Sequence, residues 1–295
     1  MDIKQLSYFA AIVENKSFTK AAEQLHISQP SLSAAIKKLE DEVGLILIDR
    51  SAKILRITNE GEIVYSEAIK LLKHFESVTG EFFRLKENGP HKLEIGLIES
   101  SMFFIPKILQ EFKLAYPDVR ISLLETLSLN DVEKALNNFD IHVAITNQYV
   151  QNEDITTLPI YDEKLVALLP KGHALESKSC LQLADFAQQD FIVCKEGFQT
   201  RNDIMSAFQK AGIPLQINCE IERFETCCSL VENNLGISIV PQNYVHYSNL
   251  PGCIAKPIQD IGLSRNVYIA YDKNRYLSPL VQCFITAVLA YFRSK

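Results

Sequence analysis

The sequence predicts an α/β protein in two different parts. An all-helical N-terminal region ends in one long helix, and a C-terminal region alternates strands and helices. Three patterns predict this. Short apolar stripes at helical spacing fill residues 1–43, an apolar seam with gaps of four and three runs from Val64 to Leu85, and strand-like and helix-like stretches alternate from Lys92 onward. With 295 residues, 47% hydrophobic and 22% charged, the chain can bury more than one core.

The first helix opens at Asp2-x-x-Gln5, a capping box, and carries Leu6, Phe9, Ala10 and Val13 on one face. Ser17 caps a short second helix holding Ala21, Ala22 and Leu25, and His26-Ile27 makes a tight connection. Ser28 caps a third helix with Pro30 in its first turn, a buried stripe of Leu32, Ala35, Ile36, Leu39 and Val43, and Gly44 as its stop. Gln29, Ser33 and Lys37 line up on its outer side. Two short helices, a turn and a third helix with a polar, partly basic face suit entry into a DNA major groove. A three-helix bundle with a merely solvated face fits the same stripe. Leu45–Ile48 and Ile54–Ile57 then read as a two-stranded ribbon turning at Ser51-Ala52-Lys53, a wing whose Arg50, Lys53 and Arg56 could meet phosphates. Residues 1–60 hold eight basic and eight acidic residues, so the net charge of −6 falls entirely on the rest of the chain. Phosphate binding depends on the local patch.

The stretch Ser17-Phe18-Thr19-Lys20-Ala21-Ala22-Glu23-Gln24-Leu25-His26-Ile27-Ser28-Gln29-Pro30-Ser31-Leu32-Ser33 resembles the signature of the LysR-type transcriptional regulators. So do Ile36-Lys37-Lys38-Leu39-Glu40, Gly44, Leu47, Arg50 and Thr58-x-x-Gly61. The resemblance implies a winged helix-turn-helix with DNA contacts at Thr19, Gln29, Pro30, Ser33, Lys37 and Arg50. Two positions depart from the family's habit: Ala34 replaces a long polar or basic residue, and Ile48 replaces phenylalanine.

Thr58 caps the long helix, with Glu60 and Glu62 near its positive end. Val64, Ala68, Leu71, Phe75, Val78, Phe82 and Leu85 recur at gaps of 4, 3, 4, 3, 4 and 3, a heptad seam that calls for a partner helix. Gly80 weakens the seam locally, and Asn88-Gly89-Pro90 stops the helix. Residues 59–89 are therefore expected to dimerise the chain through Val64, Ala68, Leu71, Phe75, Val78 and Phe82, which places two reading heads on two half-sites.

Beyond Lys92, strands are expected at 93–98, 119–125, 141–145, 165–169, 191–194, 236–240 and 267–271. Helices are expected at 102–116, 129–139, 200–211, 225–234 and 278–292. No Gly-x-Gly-x-x-Gly, phosphate-binding loop, nucleophile elbow or His-Glu-x-x-His occurs, so no enzyme is expected. Val166-Ala167-Leu168-Leu169-Pro170-Lys171-Gly172-His173-Ala174-Leu175 and the run from Val231 to Pro241 continue the resemblance, with Ala174 for proline and Asn234 for glycine. It implies a two-lobed, periplasmic-binding-protein-like effector domain. The expected domains are 1–58, 59–89 and 90–295, with lobe one at 90–161 and 267–295 and lobe two at 162–266.

Ligands of such sheets lie at strand C-terminal ends and helix N-termini. Ser100-Ser101, Thr126-Leu127-Ser128 and Gly197-Phe198-Gln199-Thr200 sit at such junctions, with Thr146, Phe224 and Thr226 facing the same gap. Hydroxyls, amides and one nearby arginine, Arg201, suit a small organic anion as effector. Each Ser or Thr taken singly is equally a plain helix cap.

The seven cysteines all fall at or after Cys180, are odd in number and form no Cys-x-x-Cys, and the six histidines are scattered, so neither disulfides nor a metal site is expected. Cys227-Cys228 lies near the expected cleft, which makes a redox-sensing regulator a rival reading, but adjacent cysteines pair poorly and nothing in the sequence shows a lowered thiol pKa. No apolar run approaches the roughly 20 residues of a membrane span, and Met1–Ala10 has no secretory pattern, so a cytoplasmic protein is expected. A solute-binding transport protein would share the lobes but not the first sixty residues. The resemblance implies double-stranded DNA with an inverted-repeat-like operator and a homodimer or homotetramer, with RNA polymerase as a candidate partner. No cofactor beyond the effector is expected.

Overall fold

A computed structural model describes residues 1–49, 55–87, 92–259 and 263–293. It contains two compact units, Met1–Gly89 and Pro90–Lys295.

The first unit comprises α1 (Ile3–Asn15), α2 (Phe18–Gln24), α3 (Gln29–Val43), β1 (Ile48–Asp49), β2 (Arg56–Ile57) and α4 (Asn59–Glu87). Local chemistry sets each boundary. Asp2 accepts the Gln5 N–H while the Gln5 side chain accepts the Asp2 N–H, both at 2.8 Å. Ser17 and Ser28 accept the N–H groups of Lys20 and Ser31. Gly44, at φ 71°, closes α3 in the left-handed conformation that glycine adopts freely. Phe9, Ile12, Leu32, Ile36, Leu39 and Leu47 are wholly buried at the centre.

The wing departs from expectation. Its strands pair over only two residues each, Ile48 with Ile57 and Asp49 with Arg56. Ile46, expected within a strand, is 70% exposed. Neither Leu45 nor Ile46 is held in a ladder, because Glu40 intercepts the chain. Its carboxylate accepts the N–H groups of Leu47 and Ile48 at 2.9 and 3.1 Å. Thr58 donates to the Ile46 carbonyl and accepts the Gly61 N–H, fastening the wing to the start of α4. A Cβ on Gly61 would collide with the Leu47 carbonyl and the Ile57 side chain, which explains the Thr58-x-x-Gly61 spacing. The expected turn at 51–53, with Arg50 and Lys53, lies outside the described residues. Ile48, where the family favours phenylalanine, is fully buried as a packing residue.

The second unit contains β3 (Lys92–Leu97), a 3-10 turn (Glu99–Phe103), α5 (Ile105–Ala115), β4 (Arg120–Glu125), α6 (Leu129–Asn137), β5 (Val143–Thr146) and β6 (Ile155–Pro170). It continues through β7 (Asp190–Cys194), α7 (Gln199–Ala211), β8 (Gln216–Ile221), α8 (Phe224–Glu232), β9 (Ile237–Pro241), α9 (Gln242–Tyr247), β10 (Cys253–Pro257), β11 (Ser264–Asp272) and α10 (Pro279–Arg293). The strands run in the order β4-β3-β5-β11-β6-β9-β7-β8, with β10 alongside β6. β3 is parallel to β4 and β5, and β7 is parallel to β8 and β9, as alternating strands and helices require. The long β6 and β11 run antiparallel and belong to both halves of the sheet. Two lobes result. One packs α5 and α10 around Phe104, Phe112 and Phe284, and the other packs around Phe186, Phe191 and Phe208. Among the described residues, no helix is long and apolar enough to cross a membrane.

Candidate functional site

Two surfaces merit description, one in each unit. In the first, α3 buries Leu32, Ile36 and Leu39, which turns the opposite side outward. Gln29, Pro30 and Lys37 are exposed there, with Ser33 half-buried beside them, and Thr19 is exposed in the first turn of α2. Arg56 is exposed on β2. Lys37 forms no ion pair with a described residue, so its charge is free for another partner.

On α4 the predicted seam splits into two. Ala68 is 2% exposed and Val64 packs beside it, both within the core built by α1 and α3. These two belong to the unit's own interior, which corrects their assignment to a free seam. Leu71, Phe75, Val78 and Phe82 are exposed, at 43, 50, 38 and 66%. An apolar stripe of that length is costly in water and suits a second helix.

In the second unit the floor between the lobes is made by register partners on the crossover strands, Glu163 of β6 and Arg265 of β11. Their side chains are 0 and 4% exposed. Arg265 donates to one carboxylate oxygen of Glu163 from Nε at 2.8 Å, and a terminal guanidinium nitrogen lies 2.6 Å from the same oxygen as an ion pair. It also donates to Ser100 Oγ in one lobe at 3.1 Å and to Thr200 Oγ1 in the other at 2.5 Å. Ser100 Oγ donates to the same Glu163 oxygen. Among the described residues, the second Glu163 oxygen is buried without a hydrogen-bond partner. Burial, with the Glu163 charge beside it, drives the Tyr161 phenol far above its ordinary range.

Above this floor is a cavity of about 20 Å³, room for about one water, walled by Ser100, Asn147, Phe198, Thr200, Phe224 and Arg265. Glu99 and Glu222 also face it. Glu99 reaches across the lobes and accepts the Phe224 N–H at the start of α8, at 3.0 and 3.2 Å. A carboxylate at a helix N-terminus is favoured by the free N–H groups there. Burial nonetheless raises the Glu99 pKa, opposed by that N–H and by Arg223. Arg223 pairs with Glu125 across the same gap.

The predicted effector residues therefore divide. Ser100, Phe198, Thr200 and Phe224 line the cavity. Ser101 bonds back to the Ile98 carbonyl within its own turn. Ser128 caps α6, and buried Thr146 accepts the Gln148 N–H. Thr126 is buried behind Gly96, Gly197 shapes the turn before α7 at φ 92°, and Thr226 is exposed away from the cavity. Arg201 is the main correction. Its guanidinium donates to the Cys194 carbonyl and pairs with Glu220 of β8, so it braces α7 and does not face the cleft. Arg265, which the sequence reading missed, takes its place, and Glu99, Asn147 and Glu222 were missed with it, while Gln199 of the expected junction also lines the cavity.

The thiols of Cys194, Cys227 and Cys228 are pushed up to about 12 by burial, the reverse of what a reactive thiolate needs. Among the described residues, no cluster of His, Cys, Asp or Glu could hold a metal ion.

Comparison with known proteins gives concordant matches. Residues 3–62 match a family described as bacterial regulatory helix-turn-helix protein, lysR family, and residues 87–293 match the LysR substrate binding domain. The HTH-type transcriptional regulator YcgK of Bacillus subtilis, itself uncharacterised, is 31% identical over 97% of this chain and 93% of its own. Among solved structures, full-length CbnR complexed with its target DNA superposes with a TM-score of 0.74 at 22% identity, covering 98% of this chain and 99% of CbnR. The regulatory domain of CcmR from Synechocystis PCC6803, in complex with 2-PG, superposes with a TM-score of 0.64 at 22% identity, covering 69% of this chain and 98% of CcmR.

Proposed function

We propose, from the premise that this chain belongs to the LysR family of bacterial transcriptional regulators, a division of labour among its surfaces. The protein is a sequence-specific DNA-binding regulator with a small-molecule-binding effector domain. Gln29, Ser33 and Lys37 read base edges from α3, with Pro30 in van der Waals contact. Thr19, Arg56 and the wing residues Arg50 and Lys53 hold phosphates. Leu71, Phe75, Val78 and Phe82 join two copies, and a dimer or tetramer reads an inverted-repeat-like operator. The protein catalyses no reaction in this reading. It works in the cytoplasm, with RNA polymerase as a further partner.

The effector is a small organic anion held between the lobes. One observation carries this: buried Arg265 bonds simultaneously to Ser100 of one lobe and Thr200 of the other. An anionic group arriving at that point competes for both bonds and biases the lobes' separation. Coupling of about 1–3 kcal/mol between the cleft and the DNA site is typical of such switches.

The test has two arms. Gln29→Ala should weaken cognate-operator binding by about 1–3 kcal/mol and random-duplex binding hardly at all. Equal losses on both would remove Gln29 from base reading. A thermal-shift screen of small carboxylates should reveal a ligand, since one present at about 100 times its Kd adds about 2.7 kcal/mol. A ligand that binds without altering the operator footprint counts against the switch.

A further inference from the structure

We infer that the effector is a small zwitterion, carrying a protonated amine beside its carboxylate, and that Glu99 is the residue that selects for the amine. The inference rests on the cleft reading above and adds the ligand's chemical class to it.

The argument is one of charge matching. The basic groups around the cleft each already have a carboxylate partner: Arg265 has Glu163, Arg223 has Glu125 and Lys195 has Glu222. Glu99 faces the cavity and forms no ion pair with a described residue. Its hydrogen bonds come from one backbone N–H, that of Phe224. A carboxylate has lone-pair sites for about four donors, so Glu99 retains capacity toward the cavity. A partly buried carboxylate that no cation contacts directly is unfavourable, Arg223 offsetting this only at a distance, and an ammonium group placed beside it relieves that cost.

The other side of Glu99 reinforces this. There the cleft widens into a groove of about 740 Å³. Its charged lining is Glu99, Glu125, Glu225, Glu232 and Arg223, one cation among four acids. A bare dianion entering such a site meets net repulsion. The floor asks for the opposite charge. Thr200 already accepts from Arg265, so its O–H remains to donate, and Arg265 keeps terminal guanidinium N–H groups beyond its three hydrogen bonds. A carboxylate on the floor and an ammonium against Glu99 satisfy both sets. Leu97, Ile98, Leu123 and Leu124 of the groove leave space for an apolar body between or beyond them.

The experiment compares matched triads on the full-length protein. The probes are L-leucine with 4-methylpentanoate and 3-methylbutylamine, L-phenylalanine with 3-phenylpropanoate and phenethylamine, and the other proteinogenic amino acids with their desamino acids. Binding is read by calorimetry and operator binding by footprinting. The expected result is that at least one amino acid binds about tenfold or more tightly than either fragment, because a site built for a hydrogen-bonding group rejects the analogue lacking it. Glu99→Gln should erase that preference by weakening the amino acid and strengthening the desamino acid. A desamino acid that binds the wild type as tightly as its amino acid, or silence of the whole amino-acid panel at about 100 times a micromolar Kd, overturns the inference. The wild-type triad comparison decides the matter even where Glu99→Gln fails to fold. If desamino acids bind and shift the footprint, the cleft reading stands and the zwitterion falls. If amino acids bind wild type and Thr200→Val equally, the ligand lies elsewhere and the cleft reading itself falls.

Discussion

Replacing Arg265 by methionine tests the structural claim on which the cleft depends. The side chain is 4% exposed and its partner Glu163 is 0% exposed. Without the guanidinium, the Glu163 oxygen loses the charge-assisted bond from Nε and the ion-pair contact with a terminal nitrogen, and keeps only the Ser100 hydroxyl. Its other oxygen is already without a partner. Breaking one side of such a buried pair costs about 3–5 kcal/mol, and Glu163→Leu should cost about as much by stranding the arginine. The double variant should lose only about 1–2 kcal/mol, because apolar replacements of similar volume remove both desolvation costs together and leave Ser100 and Thr200 short of partners. The cycle should therefore show a coupling of at least about 4 kcal/mol. The chain has no tryptophan, but the large sheet lies wholly in Pro90–Lys295, so the infrared β-sheet band during urea unfolding reports on that unit. At about 2–4 °C per kcal/mol for a domain of this size, either single variant should also melt about 6–20 °C lower. Single losses below about 1 kcal/mol would mean that the pair is hydrated and that the closed floor is wrong.

Two other consequences are measurable. Burial beside Arg275 and Lys92 holds the His142 pKa down at about 3, while its Nδ1 accepts the Glu94 N–H at 2.9 Å. Because the folded state resists the proton that the unfolded chain accepts near about 6.5, this contribution is intact above that pH and is lost as pH falls toward 3. Between pH 7.5 and 5.0 wild type should lose about 2 kcal/mol more than His142→Asn, which keeps an acceptor but does not titrate, and equal losses would refute the shift. Phe75→Asp places a charge in the exposed stripe of α4 and should raise the dimer dissociation constant by about a hundredfold or more, whereas Ala68→Gly should act mainly through the first unit's own stability. Analytical ultracentrifugation showing an unchanged Phe75→Asp dimer would place the interface elsewhere.

What was legible in the sequence was what is local. The caps at Asp2, Ser17, Ser28 and Ser128 each act on an N–H three residues on, so spacing alone reveals them. Strand pairing across the lobes is invisible to that kind of reading. Arg265 and Glu163 meet across 102 residues, and nothing near Arg265 advertises its partner. Arg201 was misread because it sits in the first turn of α7, close in sequence to the cleft. Its direction is set by Glu220 on a strand that was not expected at all. That strand, β8, was readable: Gln216-Ile217-Asn218-Cys219-Glu220-Ile221 alternates polar and apolar as an edge strand should. The first half of β6 was obscured by Pro159, which sits at the irregularity where β11 shifts register. α9 spans only Gln242–Tyr247, too short for a helical period to show. The seam of α4 includes Val64 and Ala68, which pack in the first unit's own core, since a heptad cannot say which of its members an intramolecular core has already claimed.

The position of the Arg265–Glu163 pair gives a reason why a small ligand could move large lobes. β11 joins β5 through residues 268–270, and β6 joins β9 through residues 165–168. The paired residues 265 and 163 stand between these two attachments, on the strands that connect the lobes. In the proposed reading, binding floor and hinge are thus the same residues. A hydrogen bond to a charged group contributes about 1.5–3 kcal/mol, close to the coupling a typical allosteric switch needs. Under the proposed function, exchanging one bond of Arg265, from Thr200 or Ser100 to an effector, would be enough to bias the lobes. Because that exchange is itself the loss of an interlobe tie, no chain of intermediate contacts has to carry the signal as far as the hinge. A Thr200→Val variant, which lacks the tie from the outset, should already rest partway toward the liganded lobe arrangement, as small-angle scattering of the ligand-free protein would reveal.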